Sequence, residues 1–352
     1  MRDLAILADD LTGALDSAGV FSSRDRSVEV TWTGPVSGDC SVDSESRSGE
    51  AEVARAKVSA LLPFLAESRI SFKKIDSLLR GNSFAELAAC IRLGAFDAIV
   101  VAPAFPAQRR MTVGGALVVD GRREVSIADG LAGEGIHATV LPAGVGAMGL
   151  GVFICDANTD DDLVRLVRLR QSGRVLWCGS SGLARALAGK PPPYVPLAPS
   201  LAIIGSRHPA SRRHAAGLSE GLAERAVSAA SEDAAEKVER FLGDGGHAAL
   251  IMDFPEMPPR EAEARYRDTF LSLARTVASP GALIVVGGDT LLRLMQALGA
   301  SSLVALGERA PGLPVSRVRG GGWDGCLLVS KSGAFGDSGM FSEFMQGELQ
   351  SA

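Results

Sequence analysis

The sequence predicts an α/β protein built of two Rossmann-like α/β domains, with mostly parallel sheets and an interdomain cleft. Three observations predict it. Short continuous apolar runs alternate with amphipathic helical stretches, the pattern of parallel strands covered on both faces. The 352 residues exceed what one core ordinarily organises. The alternation is interrupted by Pro191, Pro192, Pro193, Pro196 and Pro199, which can continue neither a helix nor a central strand. That segment reads as a stiff linker. The domains are therefore expected at residues 1–190 and 200–352, with the linker at 191–199.

In the first domain, strands are expected at residues 3–8, 28–32, 70–74, 98–102, 152–155 and 175–178. Residues 14–21 read as a helix directly after the first strand. Residues 50–67 carry Val53, Val58, Leu61, Leu62 and Leu65 on an approximate helical stripe, and residues 83–93 repeat Phe84, Leu87, Ala88 and Ile91. Residues 160–169 open with acids, as a helix N-terminus prefers. In the second domain, strands are expected at 201–204, 248–252 and 282–286. A helix over 260–277 places Tyr266, Phe270, Leu273 and Val277 on one face.

Composition excludes several function classes. Hydrophobic residues at 46% and charged residues at 22% fit a soluble globular protein. A net charge of -5 offers no basic footprint for nucleic acid or an anionic membrane surface. Cys40, Cys90, Cys155, Cys178 and Cys326 form no CxxC pair, which argues for a reducing compartment. The four histidines form no HExxH pattern, so no permanent metal centre is expected. The N-terminal apolar run is broken by Asp9 and Asp10, unlike a signal peptide, and no run reaches a membrane-spanning length. A cytoplasmic enzyme is the expectation, with oligomeric state open to homo-oligomers.

Asp9 and Asp10 fall at the carboxyl end of the first strand, where open parallel sheets bind ligands. Two adjacent acids there cost repulsion and desolvation unless something compensates them. Further polar loops lie at residues 43–47, 73–82 and 102–108. Lys74, Asp76, Arg80 and Asn82 crowd one strand-to-helix turn, where Ser77 could also serve as an N-cap. If the strands are parallel, these loops meet in one crevice of carboxylates, cations and hydroxyls. Such a crevice suits a small polyhydroxylated anion, because arginine grips carboxylates and aspartate accepts from sugar hydroxyls. The competing reading, that each charge merely caps a helix or forms a surface pair, is the weaker one for Asp9 and Asp10.

The second domain has three strand ends of a different kind. The strand at 282–286 runs into Gly287, Gly288, Asp289 and Thr290, followed by a helix with Leu291, Leu294, Met295 and Leu298 on its buried stripe. Glycines permit close backbone approach and a helix N-terminus offers free N–H groups, so this is a phosphate cradle. Residues 327–336, with Lys331 and Gly333, repeat the strand-to-glycine pattern, and Gly205, Ser206 and Arg207 close the strand at 201–204 similarly. Three such ends in one domain suggest a nucleotide. By contrast, residues 144–149 match GxGxxG but run almost at once into a strand, leaving no room for the required helix. No GxxxxGK[ST] and no protein-kinase signature occur. His208 and His214, beside Arg212 and Arg213, read as a solvated basic face.

Taken together, ADDLTGALD (8–16), DSESR (43–47), KKIDSLLRGN (73–82), APAFPAQRRMTVGGALVVDG (102–121), CGSSGLARALA (178–188), VVGGDT (285–290), APGLPV (310–315) and VSKSGAFG (329–336) resemble the four-carbon acid sugar kinases, in the family's order and over nearly the whole chain. The resemblance implies an N-terminal domain binding a sugar acid such as threonate or erythronate, and a C-terminal domain binding ATP with magnesium. It implies that Asp10, Arg47, Lys74 to Ser77 and Arg80 hold the substrate, and that Ser206, Gly287, Gly288, Asp289, Thr290 and Gly333 hold the nucleotide. Lys331 is counted with the last turn and Asp9 with the substrate site. The chain departs from the family pattern at Leu78, where a threonine is usual, and at Arg109, where a glycine is expected. Residues 122–151 are shortened, and residues 212–214 lack the usual threonine and glutamine.

The expected activity is phosphorylation of the terminal hydroxyl of a threonate-, erythronate- or 3-oxo-tetronate-type acid. Asp10 or Asp76 is expected to orient that hydroxyl and accept its proton. Arg47, Lys74 and Arg80 are expected to neutralise the substrate carboxylate and the moving phosphoryl group. Closure of the two domains would exclude water. The alternatives are a binding protein without turnover, kept open by Leu78 and Arg109, and a Rossmann-type oxidoreductase, disfavoured by the missing fingerprint.

Overall fold

The computed structural model describes residues 2–23, 26–145, 149–168, 173–189, 200–205, 223–243, 246–255 and 257–332. The chain divides into two compact units, Met1–Pro192 and Pro193–Ala352. The proline-rich segment 191–199 lies outside the described residues.

The first unit is a parallel sheet. Its strands are β1 (Arg2–Ala8), β2 (Val28–Thr31), β3 (Cys40–Asp43), β4 (Ser68–Lys74), β5 (Ala98–Ala102), β9 (Thr139–Leu141), β10 (Gly151–Cys155) and β11 (Val175–Gly179). They lie in the order β2-β3-β1-β4-β11-β5-β10-β9, every neighbouring pair parallel. The helices are α1 (Leu11–Phe21), α2 (Ala51–Ala66), α3 (Ser83–Arg92), α4 (Ile127–Gly133), α5 (Asp160–Arg168) and α6 (Ser181–Ala188). The central strand β1 is buried from Leu4 to Ala8, which explains its unbroken apolar run. Val58, Leu62 and Leu65 of α2 and Leu87 of α3 pack with Leu7, Val42 and Val101 of the sheet in one core.

A separate antiparallel sheet of β6 (Arg110–Val113), β7 (Ala116–Val119) and β8 (Arg122–Ser126) is inserted after β5. Sequence reading missed it, although its turns are legible. Gly114-Gly115 and Asp120-Gly121 are two-residue links whose four residues all have positive φ, the backbone that tight hairpins demand. Strand β3 was also missed, because Cys40–Asp43 is short and runs directly into a polar loop.

The second unit has β12 (Ser200–Ile204), β13 (Ala226–Ser228), β14 (Ala248–Ile251), β15 (Ala282–Val286), β16 (Ser302–Ala310), β17 (Leu313–Arg319) and β18 (Leu327–Lys331). Their order is β13-β14-β12-β15-β18-β17-β16. The first five are parallel and the last two antiparallel. The hairpin between β16 and β17 turns at Pro311-Gly312, a turn dipeptide inside the quoted APGLPV motif. The helices are α7 (Ala234–Gly243), α8 (Pro259–Thr276) and α9 (Gly288–Leu298). Phe270 and Leu273 of α8 and Leu291, Leu294, Met295 and Leu298 of α9 are buried on the expected stripes.

Each unit reverses its strand order beside its first strand. In the first, β3 lies on one side of β1 and β4 on the other. In the second, β14 and β15 flank β12. The crevice outside the carboxyl ends of the strands at such a reversal is where α/β sheets take ligands. Among the described residues, Asp9, Asp10, Arg47, Lys74 and Asp76 lie at the first of these places and Gly287 to Thr290 with Lys331 at the second.

Candidate functional site

At the first reversal, the ends of β1, β3 and β4 present Asp9-Asp10, Asp43 and Lys74. Arg47, from the loop after β3, locks them together. Its Nε donates to Asp9 Oδ2 at 2.8 Å and its Nη2 to Asp9 Oδ1 at 2.9 Å, while Nη1 donates to Asp10 Oδ2. Burial opposes charge on Arg47, but Asp10 and Asp9 outweigh it and hold the guanidinium firmly protonated. Burial likewise opposes charge on Asp9, and Arg47 more than compensates, so Asp9 stays below the usual carboxylate range. The backbone closes the same knot, since Ser46 and Arg47 N–H both donate to Asp9 O at 3.2 Å.

Asp10 is the N-cap of α1. Its Oδ1 accepts from Gly13 N at 2.7 Å and its Oδ2 from Thr12 Oγ1 at 2.8 Å. Capping, set aside above as the weaker reading, is thus present together with the Arg47 ion pair. Lys74 is buried beside it, with Nζ donating to Ile75 O at 3.0 Å. A Cβ on Gly13 would meet Asp10 Oδ1 at 2.8 Å and Lys74 Nζ at 3.0 Å, so both groups face this glycine.

Asp76 holds its own loop. Its Oδ2 accepts from Arg80 Nε at 2.7 Å, Arg80 N at 3.1 Å and Leu78 N at 3.3 Å, and its Oδ1 from Arg80 Nη2 at 2.8 Å. Burial alone would raise its pKa, but Arg80, Arg47 and Lys74 hold it well below the usual range. A carboxylate tied to its own loop in this way is arranged to hold Arg80 and the turn in place. The guanidinium groups of Arg47 and Arg80, expected to neutralise substrate charge, are paired here with Asp9, Asp10 and Asp76. Gly81 binds the two loops together: a Cβ there would lie 2.1 Å from Arg47 O.

Two departures from the family pattern, Leu78 and Arg109, sit differently. Leu78 packs against the apolar core. Arg109 has φ 54° and ψ 34°, a left-handed conformation that favours glycine, and its side chain is 83% exposed.

Sequence reading missed three features of this site. Asp43 is buried with Oδ1 accepting from Glu45 N at 2.7 Å; burial, with Asp10 and Asp9 nearby, pushes its carboxyl well above the usual range. Arg110 reaches in from β6, its Nη1 donating to Ser77 Oγ. Asp43 and Arg110 both fall inside quoted motifs. Beneath the site, Lys73 and Glu86 form a fully buried ion pair at 2.7 Å, with Ser46 Oγ donating to the other Glu86 oxygen at 2.8 Å. Glu86 carried no signal, since an acid in an amphipathic helix ordinarily faces water.

At the second reversal, three strand ends lie side by side, with Ile204 opposite Val286 and Val286 opposite Lys331. Gly287 follows β15 and is the N-cap of α9, with no side chain capping that helix. Gly288 begins the helix, Asp289 is exposed in its first turn, and Thr290 is buried. Gly205 packs on Thr290 so closely that a Cβ would lie 2.1 Å from Thr290 Oγ1, and Tyr266 Oη donates to Gly205 O at 3.0 Å. Lys331 is buried, and burial pushes its ammonium down to about 7. Ser206, Gly333, His208, His214, Arg212 and Arg213 lie outside the described residues, as does part of the GxGxxG match.

No described helix is long and apolar enough to cross a membrane. None of the five buried cysteines forms a disulfide. Among the described residues there is no group of three or more His, Cys, Asp or Glu able to hold a metal ion.

Comparison with known proteins agrees with two units of different duty. A sugar-binding N-terminal domain family matches residues 4–129, and a nucleotide-binding C-terminal domain family matches residues 201–341. The chain is 31% identical to the D-threonate kinase of Cupriavidus necator, over 94% of each chain. It is 26% identical to the D-erythronate kinase of Heliobacterium modesticaldum, over 96% of this chain and 95% of that one. A Salmonella typhimurium LT2 crystal structure superposes with a TM-score of 0.76 at 18% identity, covering 99% of this chain and 100% of that one, a likeness of fold alone. The class is a two-domain protein that pairs a sugar-binding half with a nucleotide-binding half. The chain belongs to the four-carbon acid sugar kinase family.

Proposed function

We propose that this protein is an ATP-dependent kinase that phosphorylates the terminal hydroxyl of a four-carbon sugar acid. The observation that carries the reading is the end-to-end similarity to the D-threonate kinase of Cupriavidus necator. D-Threonate is the first substrate to test, since the D-threonate kinase of Bordetella bronchiseptica is also 30% identical over 95% of this chain.

In this reading the sugar acid occupies the first strand reversal and the nucleotide the second. Phosphoryl transfer asks for in-line positioning and charge neutralisation more than for covalent help. Asp10 orients the terminal hydroxyl and receives its proton late, when the hydroxyl has become acidic. Lys74, facing the same glycine, supplies positive charge beside it. Asp9, Asp76, Arg47 and Arg80 hold these groups in place through the ion pairs they make with one another, and Ser77 contributes a hydroxyl.

Gly287 to Thr290 cradle phosphate on the uncapped N–H groups of α9, and Lys331 adds an ammonium once phosphate restores its charge. The family resemblance adds Ser206 and Gly333 to the nucleotide-binding residues. Magnesium bound to the phosphates would neutralise their charge; it takes one or two carboxylates alongside phosphate and water oxygens, and exposed Asp289 is the donor of that type at the cradle.

The test is ADP release, coupled to a spectrophotometric readout, with D- and L-threonate and D- and L-erythronate. Turnover with at least one acid that depends on ATP is expected. Binding of acid and nucleotide with no turnover across all four would instead favour a binding protein.

A further inference from the structure

Four cations meet at the first strand reversal, and they differ in what already holds them. Arg47 spends Nε and Nη2 on Asp9 and Nη1 on Asp10. Arg80 spends Nε and Nη2 on Asp76. Lys74 lies with Asp10 against Gly13. Arg110 is different: it is only 9% exposed, yet no carboxylate among the described residues lies within ion-pair distance of it. Its one side-chain hydrogen bond runs from Nη1 to the neutral hydroxyl of Ser77.

A buried guanidinium without a counter-charge is costly unless something compensates it. Burial, with the charge of Arg80, weakens its hold on the proton, and the more distant Asp76 and Asp16 only partly offset this. The Nε and Nη2 edge makes no hydrogen bond within the protein, and neither nitrogen is sealed from solvent. That edge has the spacing of a carboxylate's two oxygens, which it binds through two parallel bonds. Ser77 fixes the guanidinium from the opposite side without consuming its charge.

We propose that Arg110 is the group that binds the substrate's carboxylate and so selects sugar acids over neutral sugars; this rests on the sugar-acid kinase reading above. The substrate then lies with its carboxylate at Arg110 and Ser77 and its terminal hydroxyl toward Asp10 and Lys74. The antiparallel sheet after β5 acquires a purpose, since it carries Arg110 into the site. The departures at Leu78 and Arg109 leave this contact intact, since Leu78 packs against the apolar core and Arg109 is largely exposed.

The test compares Arg110→Ala and Arg110→Lys with the unaltered protein, using D-threonate and the neutral polyol D-threitol. Arg110→Ala is expected to raise KM for threonate by about 100-fold or more, with kcat changed far less and kcat/KM for threitol unchanged. Arg110→Lys keeps charge without the fork and falls between. Added guanidinium is expected to rescue Arg110→Ala on threonate alone. Equal losses on acid and polyol, or an unchanged KM for threonate, would overturn the assignment. Calorimetric titration of D-threonate without nucleotide separates the two ideas. Acid binding that Arg110→Ala weakens, in a protein that never turns over, supports Arg110 and sinks the kinase reading. An unaltered protein that binds no four-carbon acid overturns both.

Discussion

Arg47 meets Asp9 edge to edge, Nε to Oδ2 at 2.8 Å and Nη2 to Oδ1 at 2.9 Å, and places its remaining nitrogen on Asp10. One guanidinium thus bridges two adjacent carboxylates at a buried strand end. Its cost in desolvation is offset because every lone charge has a partner. This bond makes the paired acids tolerable without a salt bridge from Lys74 or Arg110.

Asp10→Asn separates positioning from structure. Asparagine caps helices about as well as aspartate, so the thermal midpoint is expected to move little. If Asp10 receives the hydroxyl proton, kcat falls by about 100-fold or more. A loss confined to KM would demote Asp10 to a binding residue.

Asp43 and Asp76 are expected to act on stability with opposite pH dependence. The native pKa of Asp76 is depressed, so its contribution is present above the unfolded value of about 4 and is lost as pH falls through the lower native value. That of Asp43 is raised, so the native state is favoured at low pH and loses stability as pH rises from about 4 through the native value. Denaturant melts between pH 3 and pH 8 should therefore show Asp76→Asn weakest relative to the unaltered protein at neutral pH. Asp43→Asn should gain on it as pH rises. Parallel curves for the two variants would contradict the assignments.

The Lys73–Glu86 pair is wholly enclosed, so removing one partner strands the other's charge. Lys73→Met is expected to cost about 3–5 kcal/mol in urea unfolding. Lys73→Met with Glu86→Leu should recover much of that loss, because no charge is left buried. A double variant as unstable as the single one would show that the hydrogen bonds from Ser46 Oγ to Glu86 and from Lys73 Nζ to Lys74 O, at 2.9 Å, matter more than the charges.

Burial pushes the Lys331 ammonium down to about 7, so phosphate that binds its charged form must draw in a proton above that pH. ATP affinity should weaken by up to about tenfold per pH unit above 7. Calorimetry in buffers of different ionisation enthalpy should register proton uptake. Lys331→Met should flatten both effects.

Gly205→Val places a branched side chain where a single Cβ would already lie 2.1 Å from Thr290 Oγ1. Equilibrium dialysis should show ATP binding lost while sugar-acid binding persists in the other unit. Retained ATP affinity would move the nucleotide away from this glycine.

Much of the fold was legible because buried parallel strands must be continuous apolar runs. Residues 98–102 and 282–286 announce themselves this way, and the helices between them by their stripes. The antiparallel strands were missed despite Gly114-Gly115, Asp120-Gly121 and Pro311-Gly312: those of the first unit are short and partly exposed, and those at 302–310 and 313–319 are interrupted by Gly307, Pro314 and charged residues. The sequence alone determined which residue types gather at the strand ends: carboxylates and cations in one unit, glycines in the other. Tertiary structure alone decided which charges are spent. A one-dimensional pattern cannot say that Arg47 and Arg80 are consumed by Asp9, Asp10 and Asp76, or that Arg110 arrives from a separate sheet with only a hydroxyl to hold. Ion pairing depends on distances of a few ångströms between residues tens of positions apart. Burial then sets how strongly each pair, or each missing partner, is felt.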